Sequence, residues 1–78
     1  MKELIEYIAR SLVDDPTQVE VTQYRRGSTH VFKLHVAKED MGRVIGKSGR
    51  VANAMRTLLN VSAVREGKQA SLEVVDSQ

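Results

Sequence analysis

The tetrad Gly46-Lys47-Ser48-Gly49 restricts the architecture of this chain more than any other stretch of it. Apolar residues recur at helical spacing on both sides, yet two glycines three apart weaken any helix that would run through them. Upstream, residues 39–45 (EDMGRVI) therefore read as a short helix of about two turns, opened by acids that suit its positive end. Downstream, Val51, Ala52, Met55, Leu58 and Leu59 predict a longer helix from about Arg50 to Ala63. The glycines also allow backbone to pass close to backbone, so a tight corner joins the two helices.

The flanks supply the partners for this helical pair. Leu4, Ile5, Ile8, Leu12 and Val13 make residues 2–13 an amphipathic helix, which Pro16 ends. Residues 18–24 then alternate, with Val19 and Val21 on one face. Residues 30–37 alternate likewise, with Phe32, Leu34 and Val36 inward and Lys33 and His35 outward. The glycine turn in Arg-Arg-Gly-Ser-Thr between them makes a hairpin. Gly67 breaks the chain after the long helix, and residues 70–76 read as a last strand, with Asp-Ser-Gln a frayed end. The order is αββααβ, an α+β fold in which a three-stranded sheet packs against three helices.

At 78 residues there is room for one domain spanning 1–78 with one small core. Such a chain buries only about 60% of its unfolded surface. No apolar run approaches the roughly 18 residues of a membrane span. The N-terminal stretch carries acids and lacks a small-residue cleavage site, so it does not read as a signal peptide. The absence of cysteine removes disulfides and thiolate metal sites and fits a cytoplasmic protein.

Gly-Lys-Ser suggests a nucleotide-binding phosphate loop, but the spacing does not fit. That loop needs a glycine, four residues and then Gly-Lys-Ser or Gly-Lys-Thr, entered from a strand. Counting back from Gly46 puts the first glycine on Met41, Gly42 is one position off, and a helix leads in. Other chemistry is equally unsupported. His30 and His35 lie five apart on one strand, so they point to opposite faces and cannot share a metal. Ser28 sits in the hairpin turn, Ser48 suits a helix cap, and Asp14-Asp15 suits the turn before Pro16. Neither a metal site nor an acid–base pair results, and the expectation is a non-enzyme without a cofactor.

Charge is more informative. The net +2 hides an asymmetry: residues 1–20 sum to −3, so the remainder carries +5. Residues 41–65 hold Arg43, Lys47, Arg50, Arg56 and Arg65 and no acid. A solvated helix face usually mixes both signs, so this stretch points to a polyanion. Lys47 and the amides opening the next helix face one point, an arrangement suited to a phosphodiester.

The run VIGKSGR followed by VANAMRTLL resembles the K-homology (KH) domain, whose signature is an Ile-Gly-x-x-Gly loop between two helices. The αββααβ order matches the type II form of that fold. The resemblance covers nearly the whole chain and extends to the small single-KH RNA-binding proteins of bacteria. It implies that Gly46, Lys47, Ser48 and Gly49 clamp the backbone of about four unpaired nucleotides. Arg43 and Arg50 would add phosphate contacts. Ile45 and Val44 would line an apolar floor for bases, with the strand edge holding Leu34 and Val36 beyond, although core packing explains Ile45 and Val44 equally well. Ala52, Met55 and Leu59 would pack inward, Ala52 being smaller than the family's usual residue.

On the long helix, Ala52, Met55 and Leu59 fall at about 100°, 40° and 80° from Val51, while Ala54 and Leu58 fall at about 300° and 340°. Val51, Ala54 and Leu58 thus extend the apolar stripe past the arc one small sheet can cover, and a two-fold helix-to-helix contact is the simplest partner. The alternative is that Leu58 completes the monomer core. The resemblance implies pairing with a second copy and with a larger KH-containing protein, KhpB (also called Jag or EloR). It further implies a role in RNA metabolism and bacterial cell elongation. The overall expectation is a non-catalytic, cytoplasmic, single-stranded-RNA-binding protein. Two other readings stay open. One is a protein-interaction module with little RNA binding of its own. The other is a helix-hairpin-helix DNA binder, whose loop would place an apolar residue between closely spaced glycines. An aromatic-stacking RNA or OB-type fold is disfavoured by having only Tyr7, Tyr24 and Phe32.

Overall fold

The structure, a computed structural model, describes residues 1–76. Its elements are α1 (Lys2–Leu12), β1 (Glu20–Arg26), β2 (Thr29–Val36), α2 (Met41–Ile45), α3 (Arg50–Arg65) and β3 (Gln69–Asp76). Single 3₁₀ turns at Pro16–Gln18, Lys38–Asp40 and Lys47–Gly49 join several of them. The order is the αββααβ expected. β1 and β2 pair antiparallel across the Gly27-Ser28 turn, with Arg26 opposite Thr29. β2 and β3 pair parallel, from Thr29 opposite Gln69 to Val36 opposite Asp76. A parallel pair needs a long crossover, and α2 and α3 provide it. The sheet order is β1-β2-β3, so β2 is the central strand.

The helices cover one face of this sheet. Val21, Phe32, Leu34, Val36 and Leu72 from the strands meet Ile5 and Ala9 of α1, Val44 of α2, and Met55 and Leu59 of α3 in one buried cluster. The inward alternation of Phe32, Leu34 and Val36 is as expected, and so is the burial of Ala52, Met55 and Leu59. Val31 is also buried, although its position in the pleat puts it on the face without helices. It sits mid-strand between Tyr24 on β1 and Ser71 on β3, and an aromatic cross-strand neighbour covers a β-branched side chain well.

Several boundaries differ from the expectation. β1 begins at Glu20 rather than residue 18, because the 3₁₀ turn after Pro16 uses the preceding residues. α1 buries Ile5 and Ala9, one turn apart, and leaves Leu12 more than a third exposed. α2 is a single helical turn entered through a 3₁₀ turn. α3 runs to Arg65, two residues past the expected end, where the amides of Gly67 and Lys68 bond back to the carbonyls of Val64 and Ala63. Asp76 pairs within β3 instead of fraying, and Ser77 and Gln78 lie outside the described residues.

Candidate nucleic-acid interface

The corner between α2 and α3 is held by two backbone hydrogen bonds. The Gly46 amide donates to the Gly42 carbonyl at 2.9 Å, and the Gly49 amide donates to the Gly46 carbonyl at 3.1 Å. Gly46 has φ 78° and ψ 171°, a region essentially closed to side-chain-bearing residues. Space is closed as well: a Cβ on Gly46 would lie 2.5 Å from Val51 Cγ2 and 2.8 Å from the Val51 backbone nitrogen. Gly49 is left-handed too, but a Cβ there meets only Asn53 Nδ2 at 3.7 Å. Gly46 thus sets the corner by close approach, and Gly49 only by its dihedral.

Between them Ser48 is also left-handed, at φ 57°. It does not cap α3, as had been expected. Gly49 occupies the cap position, and an N-cap side chain needs extended backbone immediately before the helix. The amides opening α3 are also less available than expected, since those of Gly49 and Arg50 are already bonded to the Gly46 and Lys47 carbonyls. What the corner does present is an exposed turn carrying the side chains of Lys47, Ser48 and Arg50. Neither Lys47 nor Arg50 has a carboxylate partner among the described residues.

Arg43 differs. Its guanidinium lies 2.8 Å from Asp14 Oδ2 and 3.4 Å from Asp40 Oδ1. Asp40 is only 3% exposed, and its two carboxylate oxygens accept the amides of Asp14 and Asp15, each at 3.2 Å. Rather than opening α2 through its side chain, Asp40 ties the turn after α1 to α2, with Arg43 neutralising it. Arg43 is therefore engaged in holding the fold.

The expected apolar floor is rearranged. Ile45 is 36% exposed beside the loop, while Val44 is wholly buried and offers no surface to a base. Leu34 and Val36 are equally inaccessible, because β2 is central and the helices lie over it. The strand edge near the loop belongs to β3, which pairs only with β2 and packs under α3. A groove follows this α3–β3 seam, lined by Arg56, Leu59, Asn60, Ala70, Ser71 and Leu72. Arg56 Nε donates to the Leu72 carbonyl at 3.3 Å and Nη1 donates to Asn53 Oδ1 at 3.1 Å. Sequence reasoning placed Arg56 in the acid-free run but gave it no role. The signal was its i, i+4 spacing to Asn60, which aligns both on one side of α3.

The three residues expected on a dimer face separate. Val51 packs against the core and fills the space over Gly46. Ala54 and Leu58 are exposed, and they continue into Val61 and Val64, at 50% and 74% exposed. Among the described residues no three His, Asp or Glu side chains gather where a metal ion could be held, and no helix is long and apolar enough to cross a membrane.

A mixed three-stranded sheet in αββααβ order, with a Gly-Lys-Ser-Gly corner between the two crossover helices, defines a type II KH domain. The family model described as KhpA/KhpB, KH domain, matches residues 2–74, and the chain belongs to that family. Among its relatives is the RNA-binding protein KhpA of Clostridium acetobutylicum, 47% identical over 96% of this chain and 100% of its own length. The RNA-binding protein KhpA of Treponema pallidum is 49% identical over 96% and 94% respectively. That of Chlamydia trachomatis is 41% identical over the full length of both.

Proposed function

We propose that this chain is a single-domain, non-catalytic, cytoplasmic protein that binds single-stranded RNA through the loop 46–49. The observation that carries the reading is the pair of exposed cations, Lys47 and Arg50, on a glycine-fixed corner with no acid between residues 41 and 65. Relatives named RNA-binding protein KhpA support it. Lys47 and Arg50 neutralise about two phosphates and Ile45 lies under the adjoining base. On strands of about four nucleotides, log affinity against log salt then slopes near −1.4. Fluorescence anisotropy on matched single- and double-stranded RNA and DNA across a salt series tests this. A slope near zero, or a preference for duplex, refutes it.

The exposed Ala54–Leu58–Val61–Val64 strip supports a second element of the reading, a two-fold contact between α3 helices in a homodimer or with a KhpB-like protein. In that assembly the chain acts as an RNA chaperone or post-transcriptional regulator. If the pairing is its main role, the isolated chain binds RNA poorly, which the same titration reads. A helix-hairpin-helix DNA binder is disfavoured by the polar Lys47-Ser48 pair at the corner.

A further inference from the structure

A second acid-free run precedes the loop. Residues 21–37 contain Arg25, Arg26, Lys33 and both histidines and no Asp or Glu. Arg25 is the cross-strand partner of His30, and His30 in turn pairs with Ala70, so these three lie in one row on the helix-facing side of the sheet. α3 has already ended at Arg65 there, and a turn through Gly67 carries the chain into β3. The row is left open as a cleft lined by Arg25, Ser28, His30, Gly67, Lys68 and Gln69.

The chemistry of this cleft is dominated by donors. Arg25 has no carboxylate partner among the described residues. Lys68 meets Glu66 at 3.4 Å, but both side chains are nearly half exposed, so solvent weakens the pair. Gln23 Nε2 lies 3.2 Å from His30 Nδ1. An imidazole ring carries at least one N–H, so His30 adds a donor beside Arg25 and Lys68. Guanidinium, ammonium and imidazole N–H groups drawn from three segments suit a phosphodiester oxygen. Position adds to this. The cleft adjoins the α3–β3 seam through Gln69 and Ala70, and the loop 46–49 stands at the other end of α3. Sixteen residues of helix put about 24 Å between those ends.

We propose that the Arg25–His30–Lys68 cleft is a second phosphate site, holding the far end of the single strand whose near end is clamped by the loop 46–49. This rests on the RNA-binding reading above. At about 3.4 Å per phosphate in a stacked strand, 24 Å corresponds to about seven phosphates, more than the roughly four nucleotides a loop alone holds.

The test compares the parent, Arg25→Ala/Lys68→Ala and Lys47→Asp/Ser48→Asp on unstructured single-stranded RNAs of about four and about ten nucleotides, chosen to fall short of and exceed that span. Arg25 and Lys68 are both exposed, and circular dichroism checks that the fold is kept. The cleft variant is expected to match the parent on the short strand. On the long strand its salt slope drops by about 1.4, so raising salt from about 50 to 200 mM weakens the parent about sevenfold more than the variant. The loop variant is expected to lose both strands. A cleft variant that matches the parent on the long strand overturns the second site while leaving loop binding in place. A parent that binds neither strand overturns both readings.

Discussion

Alanine at Gly46 is a direct probe of how the corner is built, because the structure separates two effects that usually arrive together. A Cβ there meets the backbone nitrogen of Val51 at 2.8 Å and its Cβ at 2.9 Å, atoms that cannot swing aside without moving the first turn of α3. Relieving such an overlap costs about 1–3 kcal/mol. Holding alanine at φ 78°, ψ 171° costs about 1–3 kcal/mol more. Gly49→Ala meets the second kind of penalty alone, since its nearest new neighbour is at ordinary contact distance, and left-handed backbone costs an alanine about 1–2 kcal/mol. The expected losses are therefore about 2–6 kcal/mol for Gly46→Ala and 1–2 kcal/mol for Gly49→Ala. A domain of this length is stable by only about 4–12 kcal/mol. At about 4–8 °C per kcal/mol, Gly49→Ala melts visibly earlier and Gly46→Ala stands near or beyond the edge of folding. Urea unfolding followed by circular dichroism reads both. Adding Val51→Ala to Gly46→Ala removes the Cγ2 overlap but not the backbone one, so a double-mutant cycle shows favourable but incomplete coupling. The reasoning fails if Gly46→Ala is no more destabilising than Gly49→Ala.

Three further outcomes are expected. Lys47→Asp with Ser48→Asp places carboxylates where a phosphate would sit, and aspartate tolerates the left-handed backbone of Ser48, so titration should show RNA binding lost while the thermal midpoint moves little. Asp40→Ala leaves the Asp14 and Asp15 amides without their acceptor and Arg43 without its buried partner, so it should cost about 2–5 kcal/mol by urea unfolding; a loss under about 0.5 kcal/mol would mean that water replaces the carboxylate. Leu58→Glu is nearly half exposed in the monomer, so light scattering should report a folded monomer with native circular dichroism; an unfolded variant, or a parent that stays monomeric at high micromolar concentration, refutes the α3 pairing.

Much of the loop's local character was legible because its causes are local. A corner between helices follows from two glycines three apart, and the exposure of Lys47 and Arg50 follows from their place in that corner. The engagement of Arg43 was not legible. It depends on Asp14 and Asp40, 26 positions apart in the chain, meeting through the turn after α1. The Ser48 cap fails because α3 begins at Arg50 with Gly49 at the cap position, while Ser48 sits one residue earlier in left-handed backbone inside the 3₁₀ turn.

Element order and facing were determined by the sequence itself. Periods of 3.6 and 2 residues decide which side chains can share a face, and Pro16, Gly27 and Gly67 punctuate the segments. Which faces end up covered was a tertiary decision. The family resemblance implies Val44 as part of a base-binding floor with Leu34 and Val36 beyond, yet all three are at 0% exposure. Alternation already turned Leu34 and Val36 inward, and the central place of β2 under the helices closes them off. Leu58, Val61 and Val64 have the same apolar character and stay in solvent, because the three-stranded sheet is too narrow to reach that side of α3. Strand order is set by long-range pairing, whose closure no local window of sequence encodes, and it turned β3 rather than β2 into the edge beside the loop. The same pairing brought Arg25, His30 and Lys68 from three separate segments to one cleft.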